Sequence, residues 1–206
     1  MPTTRLYLLR HSETTWNAIQ RVQGAQDSPL SATGQAQAAA AARALARAPL
    51  VAVYASPLRR AIETAQRIAS VHQLQVTPLP GLHELHQGVW ESLTLAQLET
   101  QYGALLQQWW DRPETVRVPG GETVEEVRDR AMAAVDDMVR HHPGETIGAV
   151  AHGGVNKAIL LTVLGAPLSS YWRLRQRNAC INVLEFDDER ARLVVLNYTR
   201  HCDEAI

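Results

Sequence analysis

Residues 4–17 read TRLYLLRHSETTWN, and within this stretch a run of apolar residues gives way to a basic pair. Residues 4–9 are mostly apolar and β-favouring, which predicts a short buried strand. Arg10 and His11 follow at its carboxyl end, and a polar turn comes next. Ligands of open α/β sheets bind beyond the carboxyl ends of the strands, so we expect this pair to face a ligand. The stretch alone also allows an ordinary surface pair, because short motifs often match by chance.

Two more β-like runs are followed by helices in the same way. Residues 51–55 form the second run, and the helix after it has apolar residues on one face over 61–69. Residues 146–151 form the third run, and a helix over about 155–164 follows it. Repeated strand–helix units are typical of a parallel sheet, so the sequence predicts an α/β fold. A hairpin over 180–198 is expected to close the sheet.

Length and composition predict one domain. The 206 residues contain no repeat or low-complexity linker at which the chain divides, so we expect a single domain over 1–206. Within it, the segment 81–122 is predicted to form an insertion or lid. This segment begins with a loop rich in titratable and aromatic residues and continues into a mostly helical part over 95–111.

Charge and cysteine content exclude several classes of protein. The formal net charge is -1, from 20 basic and 21 acidic residues, which argues against a nucleic-acid or membrane-surface partner. Cys180 and Cys202, the only cysteines, have no metal-binding or redox spacing. The N-terminal residues lack the apolar run of a signal peptide, and arginines interrupt the Ala-rich segment 35–48. These features predict a cytoplasmic protein with reduced thiols.

The ends of the three strands carry an unusual set of cations. Arg10-His11 follows the first strand, Arg59 comes shortly after the second, and His152-Gly153-Gly154 follows the third. The carboxyl ends of parallel strands lie along one edge, so these side chains are expected to meet. Such a cluster repels itself unless an anion fills it, and phosphate suits guanidinium donors well. The two glycines allow close backbone approach, and the next helix directs free N–H groups at the anion.

Several motifs, in the same order along the chain, resemble a known family. They are Arg10-His11-Ser12-Glu13-Thr14-x-Trp16-Asn17, Arg21-x-Gln23-Gly24, Ser56-Pro57-Leu58-Arg59-Arg60-Ala61, Leu82-x-Glu84 and Ala151-His152-Gly153-Gly154. Residues 5–185 are thereby similar to the histidine phosphatase superfamily, in its phosphoglycerate-mutase-like branch and the subgroup of α-ribazole and broad-specificity phosphatases. The resemblance implies a three-layer α/β/α sandwich with a mostly parallel central sheet and a helical insertion over the active site. It also implies phosphoryl transfer through phosphohistidine, without a metal or other cofactor.

The resemblance assigns roles position by position. His11 matches the nucleophile that accepts the phosphoryl group, and Glu84 matches the proton donor. The residues that match phosphate ligands, of which the first three also count as catalytic, are Arg10, Arg59, His152, Asn17, Gln23, Gly24 and Gly153. Arg60 is expected to face solvent or a carboxylate, because it neighbours Arg59 on a helix and points elsewhere.

These roles agree with the chemistry of the side chains. A neutral imidazole nitrogen is a good nucleophile when the other ring nitrogen donates to a fixed acceptor. Flanking cations favour the neutral form of His11 and stabilise the oxyanions during transfer. Glu84 is expected to protonate the leaving alkoxide and then to act as base toward the incoming water.

One position departs from the family pattern, since Ser12 stands where glycine is usual. Its side chain is tolerated if it turns away or bonds a pocket group, and otherwise crowds the phosphate. We favour tolerance, because the other charged positions of the motif are intact. His83 and His86 flank Glu84, but this spacing lacks a convincing third ligand, so no metal site is predicted.

The function predicted first is a phosphomonoesterase for small phosphorylated metabolites. A phosphoglycerate mutase is the second interpretation, and it differs in passing the phosphoryl group to a second hydroxyl instead of water. A non-catalytic phosphate-binding protein is a third, disfavoured because the catalytic set is complete. The sequence leaves open a homodimer through the C-terminal hairpin and the region of Trp172.

Overall fold

The computed structural model describes residues 2–203, which are organised around a six-stranded sheet. The strands are β1 Thr4–Arg10, β2 Leu50–Ala55, β3 Val76–Pro78, β4 Thr146–Ala151, β5 Ile181–Phe186 and β6 Ala191–Tyr198. Their order across the sheet is β3-β2-β4-β1-β5-β6. The pairs β2–β3, β2–β4 and β1–β4 are parallel, whereas β5 runs antiparallel to β1 and β6. The mostly parallel sheet confirms the predicted α/β fold class.

Helices connect the strands within the described residues. The α-helices are α1 Thr15–Ala18, α2 Ala32–Leu45, α3 Arg59–Val71, α4 Leu95–Asp111, α5 Val124–His141, α6 Gly153–Val163 and α7 Arg200–Asp203. Ser31 caps α2, since its Oγ accepts from the N–H of Gly34 at 3.0 Å. Reciprocal capping boxes start α4 at Thr94 and α5 at Thr123. Between residues 2 and 203 no helix is long and apolar enough to cross a membrane.

Alternation along the central strands produces two hydrophobic cores, one on each face of the sheet. Leu6 and Leu8 of β1 are fully buried together with residues of α5 and α6, while Leu9 packs with residues of α2 and α3. In β4, Ala149 belongs to the first of these cores and Val150 to the second. Successive side chains of a strand point to opposite faces, so both faces need a helical cover. The three-layer α/β/α arrangement follows from this alternation.

The segment 81–122 packs against the core formed by α5 and α6. It contains α4 and two short 3-10 helices, Gly88–Trp90 and Pro113–Thr115. Trp90 and Trp109 from this segment are buried in that core, with ring centroids 6.3 Å apart. Two indoles bury a large apolar area, which ties the segment to the sheet. Its action as a lid, and the single-domain boundary 1–206, stay predictions.

The pairing register brings the carboxyl ends of three parallel strands level with one another. Arg10, the last residue of β1, pairs with Ala151, the last residue of β4. Ala55, the last residue of β2, pairs with Val150 of β4. The residues that follow these strands therefore leave the sheet side by side, at the edge where the sequence predicts the site.

Candidate active site

His11 directly follows β1, and its ring lies at the buried centre of the site. Only 2% of the residue is exposed, and its N–H donates to the carbonyl oxygen of Ala151 at 2.9 Å. Ring Nδ1 lies 2.7 Å from the carbonyl oxygen of Ser12, so Nδ1 carries the proton and Nε2 keeps the lone pair. Burial, followed by the positive charges of Arg60 and Arg10, lowers the pKa of His11 well below its ordinary value. The imidazole is therefore neutral at neutral pH.

His152 follows β4 and brings a second imidazole to the same place. The ring centroids of His152 and His11 are 5.2 Å apart, with the planes inclined at 59°. His152 is fully buried, and neither of its ring nitrogens has a hydrogen-bond partner among residues 2–203. Buried polar atoms are nearly always paired in folded proteins, so these nitrogens indicate a site for a polar ligand. Burial, followed by the charge of Arg60, lowers the pKa of His152 well below its ordinary value.

Arg59, which the sequence analysis placed in this cluster, lies outside it. Its side chain is 68% exposed, and its Nε is paired with the carboxylate of Glu63 on the same helix. The arginine that enters the site is Arg60, which is 1% exposed and whose charge acts on both imidazoles. The predicted position of Arg59 is therefore corrected, and the cation from α3 is Arg60.

Helical periodicity explains why the neighbouring arginine takes this place. The buried residues of α3 include Arg60, Thr64 and Ile68, which are four positions apart and share the face toward the core. Arg59 and Glu63 lie one position earlier and form an i,i+4 pair on the exposed face. Counting back from an apolar Ile68 in steps of four identifies Arg60 from the sequence itself.

Arg60 also ties a loop to the site. Its Nη1 donates to the carbonyl oxygen of Gln26 at 2.6 Å and to Oδ1 of Asp27 at 3.1 Å. Its Nη2 donates to the carbonyl oxygen of Gly24 at 2.8 Å. The carboxylate contact expected for Arg60 is thus present, as Asp27, but the expectation that Arg60 points away from the cluster is wrong, because it is buried and its charge acts on both imidazoles. Its Nε is buried without a partner among residues 2–203, which leaves one donor for a ligand.

Arg10 supplies the second buried guanidinium. Its Nη1 donates to the carbonyl oxygen of Gln176 at 2.7 Å, and its Nε is buried without a partner in the described part of the chain. The side chain of Gln176 is held by two hydrogen bonds to the amide of Asn182, at 2.8 and 2.9 Å. Asn182 in turn donates to the carbonyl oxygen of Leu8 at 3.0 Å. This buried amide pair orients Arg10 toward the cluster.

Glu84 lies across the N-terminus of α6. Its carboxylate accepts from the N–H groups of Gly154 and Val155, both at 3.2 Å, and of Leu85 at 2.9 Å. A Cβ on Gly154 would stand 2.5 Å from Oε1 of Glu84, so glycine is needed for this approach. The expectation that these helix N–H groups face phosphate is corrected, because two of them hold the Glu84 carboxylate. Gly153 instead lies against Arg10, whose Nε would be 3.5 Å from an added Cβ.

Asn17, a predicted phosphate ligand, is bound to the loop after β1. Its Oδ1 accepts from the N–H of Thr14 at 3.1 Å, which caps α1. The same oxygen accepts from Nδ2 of Asn178 at 3.1 Å, and that Nδ2 also lies 3.2 Å from the carbonyl oxygen of His11. Asn17 therefore orders the backbone beside His11, and its contact with phosphate stays a prediction.

Gln23 and Gly24 lie in the loop that Arg60 holds. Gln23 is buried, and its Oε1 accepts from the hydroxyl of Ser28 at 3.0 Å. Gly24 has a φ of +54°, and an added Cβ would lie 2.2 Å from Oε1 of Glu91. Both the left-handed backbone and the close carboxylate require glycine at this position. Phosphate contacts from this loop stay predictions.

Ser12 occupies its position without backbone strain. It is fully buried, it is not among the residues with positive φ, and its N–H donates to Oγ1 of Thr64 at 3.1 Å. Its hydroxyl is buried and forms no hydrogen bond to any described residue, so the bond expected to a pocket group is not made within the chain. The backbone argument favours tolerance of serine here. Its effect on activity stays a prediction.

Three residues at the site were missed by the sequence analysis: Lys157, Gln176 and Asn178. Lys157 is one turn beyond Gly153 on α6, which puts the two residues on the same helix face. This spacing can be recognised in the sequence. Gln176 and Asn178 lie between the 3-10 helix Leu168–Arg173 and β5, where no periodicity indicates the path of the chain. Only the structure shows that this segment contacts Arg10 through the carbonyl oxygen of Gln176 and His11 through the amide of Asn178.

The cluster combines the parts needed for phosphoryl transfer. It holds a neutral imidazole whose Nε2 lone pair is free, two buried guanidiniums that supply positive charge, and a nearby carboxylate. The charge of Glu84 acts on both Arg10 and Arg60, which places it within the same field. Cations that the fold already holds in position stabilise developing oxyanions efficiently, because they need not move during the reaction.

Comparison with known proteins gives the same family. Residues 6–199 match the model of the histidine phosphatase superfamily, branch 1. Phosphoserine phosphatase 1 of Hydrogenobacter thermophilus is 31% identical over 97% of this chain and 95% of its own. The probable phosphoglycerate mutase GpmB of Serratia proteamaculans is 36% identical over 86% of this chain and 83% of its own. The solved structure of Bacillus stearothermophilus YhfR has a TM-score of 0.93 at 32% identity, covering 97% of this chain and 99% of that one.

These matches confirm the resemblance that the motifs suggested. The match covers nearly the whole described chain, and it includes the segments that carry His11, Glu84 and His152. A relative named as a phosphatase supports the predicted enzyme class, a phosphoric monoester hydrolase. By its sequence, its fold and the site at the sheet edge, the chain belongs to the histidine phosphatase superfamily, branch 1.

Proposed function

We propose that this protein hydrolyses small phosphorylated metabolites through a phosphohistidine on His11, with Glu84 as general acid and base. The observation that carries the proposal is the state of the His11 ring. Its Nδ1 is bound to the carbonyl oxygen of Ser12 at 2.7 Å, and burial between cations keeps the ring neutral. A fixed tautomer with a free Nε2 lone pair is what a nucleophilic imidazole requires.

In the first step, Nε2 of His11 attacks the phosphorus atom and the ester P–O bond breaks. The leaving alkoxide takes a proton from the carboxyl group of Glu84, so a neutral alcohol departs. A neutral alcohol is a far better leaving group than an alkoxide, which is why a positioned acid accelerates the step. The product is a phosphohistidine and a Glu84 carboxylate.

In the second step, water attacks the phosphohistidine. The carboxylate of Glu84 takes a proton from the attacking water, the P–N bond breaks, and inorganic phosphate leaves. His11 returns to the neutral ring and Glu84 to the protonated acid, so the cycle closes without a metal or another cofactor. Backbone N–H groups hold Glu84 in the same place for both steps.

Arg10, Arg60 and His152 hold the phosphate oxygens in this mechanism. Each has at least one buried nitrogen that is unpaired within residues 2–203. Guanidinium and imidazole N–H groups directed at the non-bridging oxygens stabilise the charge that accumulates during transfer. Burial first, and then the charges of Arg60 and Arg10, keep His11 unprotonated, so the two guanidiniums contribute both to charge stabilisation and to activation of the nucleophile.

Phosphate release from p-nitrophenyl phosphate near neutral pH tests the proposal. We expect turnover by the wild type, the same rate after treatment with EDTA, and complete loss in His11→Ala. His141→Ala is the matched control, because this exposed histidine ends α5 away from the cluster and should leave the rate unchanged. No release by the wild type, or loss of the rate in EDTA, contradicts the proposal.

Phosphoglycerate mutase activity is the second candidate, and the 36% identity to a probable phosphoglycerate mutase supports it. The two reactions share the first step and differ in whether water or a second substrate hydroxyl accepts the phosphoryl group. Incubation with 3-phosphoglycerate separates them. Hydrolysis releases inorganic phosphate and glycerate, whereas conversion to the 2-isomer without phosphate release establishes the mutase.

A further inference from the structure

Lys157 borders a part of the active-site cavity that the proposed reaction does not use. The cavity has a volume of about 390 Å³. Arg10 and Glu84 from the catalytic cluster line it, and so do Lys157, Tyr171 and Trp172, which have no role in the two chemical steps. A substrate whose phosphate occupies the cluster would extend its alcohol part into this space.

The ammonium group of Lys157 is buried, and no carboxylate of the described residues forms an ion pair with it. The residue is 8% exposed, and its Nζ lies 4.6 Å from the ring centroid of Tyr171 and 3.9 Å from that of Trp172. Within residues 2–203 it pairs with no carboxylate, and Glu84 acts on it only through its charge. Burial, followed by repulsion from Arg10, lowers the pKa of Lys157 to about 8. The aromatic faces offset part of the cost of this buried charge, and an anion would offset more.

The aromatic wall beside Lys157 is rigid. Nε1 of Trp172 donates to the carbonyl oxygen of Trp109 at 2.8 Å, which fixes the indole. The rings of Tyr171 and Trp172 meet edge to face at 5.1 Å, and Trp109 lies 5.7 Å from Trp172 in the same geometry. A charged group held by a preformed wall discriminates among ligands, because little has to be reorganised on binding.

We propose that Lys157, Tyr171 and Trp172 form a leaving-group subsite that selects phosphomonoesters whose alcohol part carries a carboxylate. This inference rests on the proposed function, since it requires phosphate in the neighbouring cluster. The carboxylate supplies the direct ion pair that Lys157 lacks among the described residues, and the buried ring of Tyr171 covers one side of that pair. Arg175, at the same cavity, adds positive charge toward solvent.

A matched substrate pair tests the subsite by kinetics. 3-Phosphoglycerate and glycerol 3-phosphate have the same phosphorylated carbon chain. The first carries a carboxylate where the second carries a hydroxymethyl group. We expect the wild type to prefer 3-phosphoglycerate in kcat/KM by about tenfold or more, mainly through KM. Lys157→Met should abolish the preference and Lys157→Arg should keep most of it. Arg173→Met, which removes an exposed cation outside the cavity lining, is the control and should keep the preference in full.

Lys157 is the only lysine in the sequence, which allows a second test that needs no turnover. In protein labelled with ¹⁵N at lysine Nζ, one side-chain signal reports this ammonium group. We expect it to titrate near the lowered pKa of about 8, and to titrate at higher pH when glycerate, the carboxylate product, is added with inorganic phosphate. Glycerol with inorganic phosphate should give the same titration as inorganic phosphate alone, and only glycerate should raise it further.

The outcomes separate this inference from the proposed function. A wild type that hydrolyses both substrates without preference, or a preference that survives Lys157→Met, overturns the subsite and leaves the phosphatase intact. A glycerate-dependent shift of the lysine signal in a protein that releases no phosphate supports carboxylate binding at Lys157 and overturns both the phosphatase and the leaving-group role of this subsite. A lysine signal that is indifferent to glycerate overturns the subsite whatever the activity.

Discussion

Replacement of Arg60, compared with the same replacement of Arg59, measures how much of the site depends on one buried guanidinium. Arg60→Met removes the donors to two backbone carbonyl oxygens and to Asp27. An acceptor left unpaired by such a change costs about 1–3 kcal/mol, so we expect destabilisation by roughly 3–5 kcal/mol. In a domain of this size each kcal/mol lowers Tm by about 2–4 °C, which makes the loss roughly 6–20 °C.

The loss of charge should also change the chemistry. Removing a preorganised cation from developing oxyanions lowers kcat by roughly 10²–10³-fold. The positive charge of Arg60 lowers the pKa of His11, so its removal raises that pKa. The acid limb of the kcat/KM profile, which reports protonation of the free nucleophile, should therefore move to higher pH.

Thermal unfolding and the pH dependence of p-nitrophenyl phosphate hydrolysis check both effects. Arg59→Met is the matched control, since its side chain is exposed and bonded to Glu63, and it should leave Tm and the pH profile unchanged. Arg60→Lys keeps the charge without the forked donors, and it is available if Arg60→Met does not fold. An equal loss of Tm in Arg59→Met and Arg60→Met would contradict the assignment of Arg60 to the site. So would an acid limb of the kcat/KM profile that stays in place in both Arg60→Met and Arg60→Lys.

Three further predictions concern the remaining members of the site. Glu84→Gln should lower kcat/KM roughly 10²–10⁴-fold for an alkyl phosphate and far less for p-nitrophenyl phosphate, whose leaving group needs no proton; equal losses would remove Glu84 from the acid role. His11 and His152 have lowered pKa values, so their contribution to folding stability is complete above their ordinary pKa and is lost as the pH falls below it. In that acidic range each histidine should add about 1.4 kcal/mol per pH unit to the slope of the free energy of unfolding against pH, measured by urea denaturation. His152→Asn should reduce this slope by the same amount. Ser12→Gly should change kcat/KM by less than about tenfold, because the serine backbone is unstrained; a rise of several orders of magnitude would show that the native enzyme is impaired.

The fold and the place of the candidate site in it could be predicted because their signals are local. Strand ends at Arg10, Ala55 and Ala151 were visible as apolar runs followed by polar turns, and parallel pairing then brings them together. Helix starts were visible as capping residues such as Ser31 and Thr123.

Two predictions were wrong for different reasons. One concerned neighbouring residues of the same type, and the other concerned backbone N–H groups that have more than one possible acceptor. Arg59 and Arg60 differ only in helical phase, and a difference of one position decides which is buried. The N–H groups at the start of α6 face a carboxylate from a loop about 70 residues earlier, a contact between distant segments that no local pattern reports. The lone Lys157 was readable as a helix-face residue, but its burial against two rings depends on the path of the segment after α6.

In the proposed mechanism, Nε2 of His11 carries the phosphoryl group during turnover. Rapid acid-free quenching of the wild type with substrate, followed by peptide mass spectrometry, measures this directly. We expect a phosphoryl adduct on the peptide that contains His11, labile to acid, formed within one turnover and absent in His11→Ala. A turning-over enzyme with no adduct, or with the adduct on His152, would contradict it.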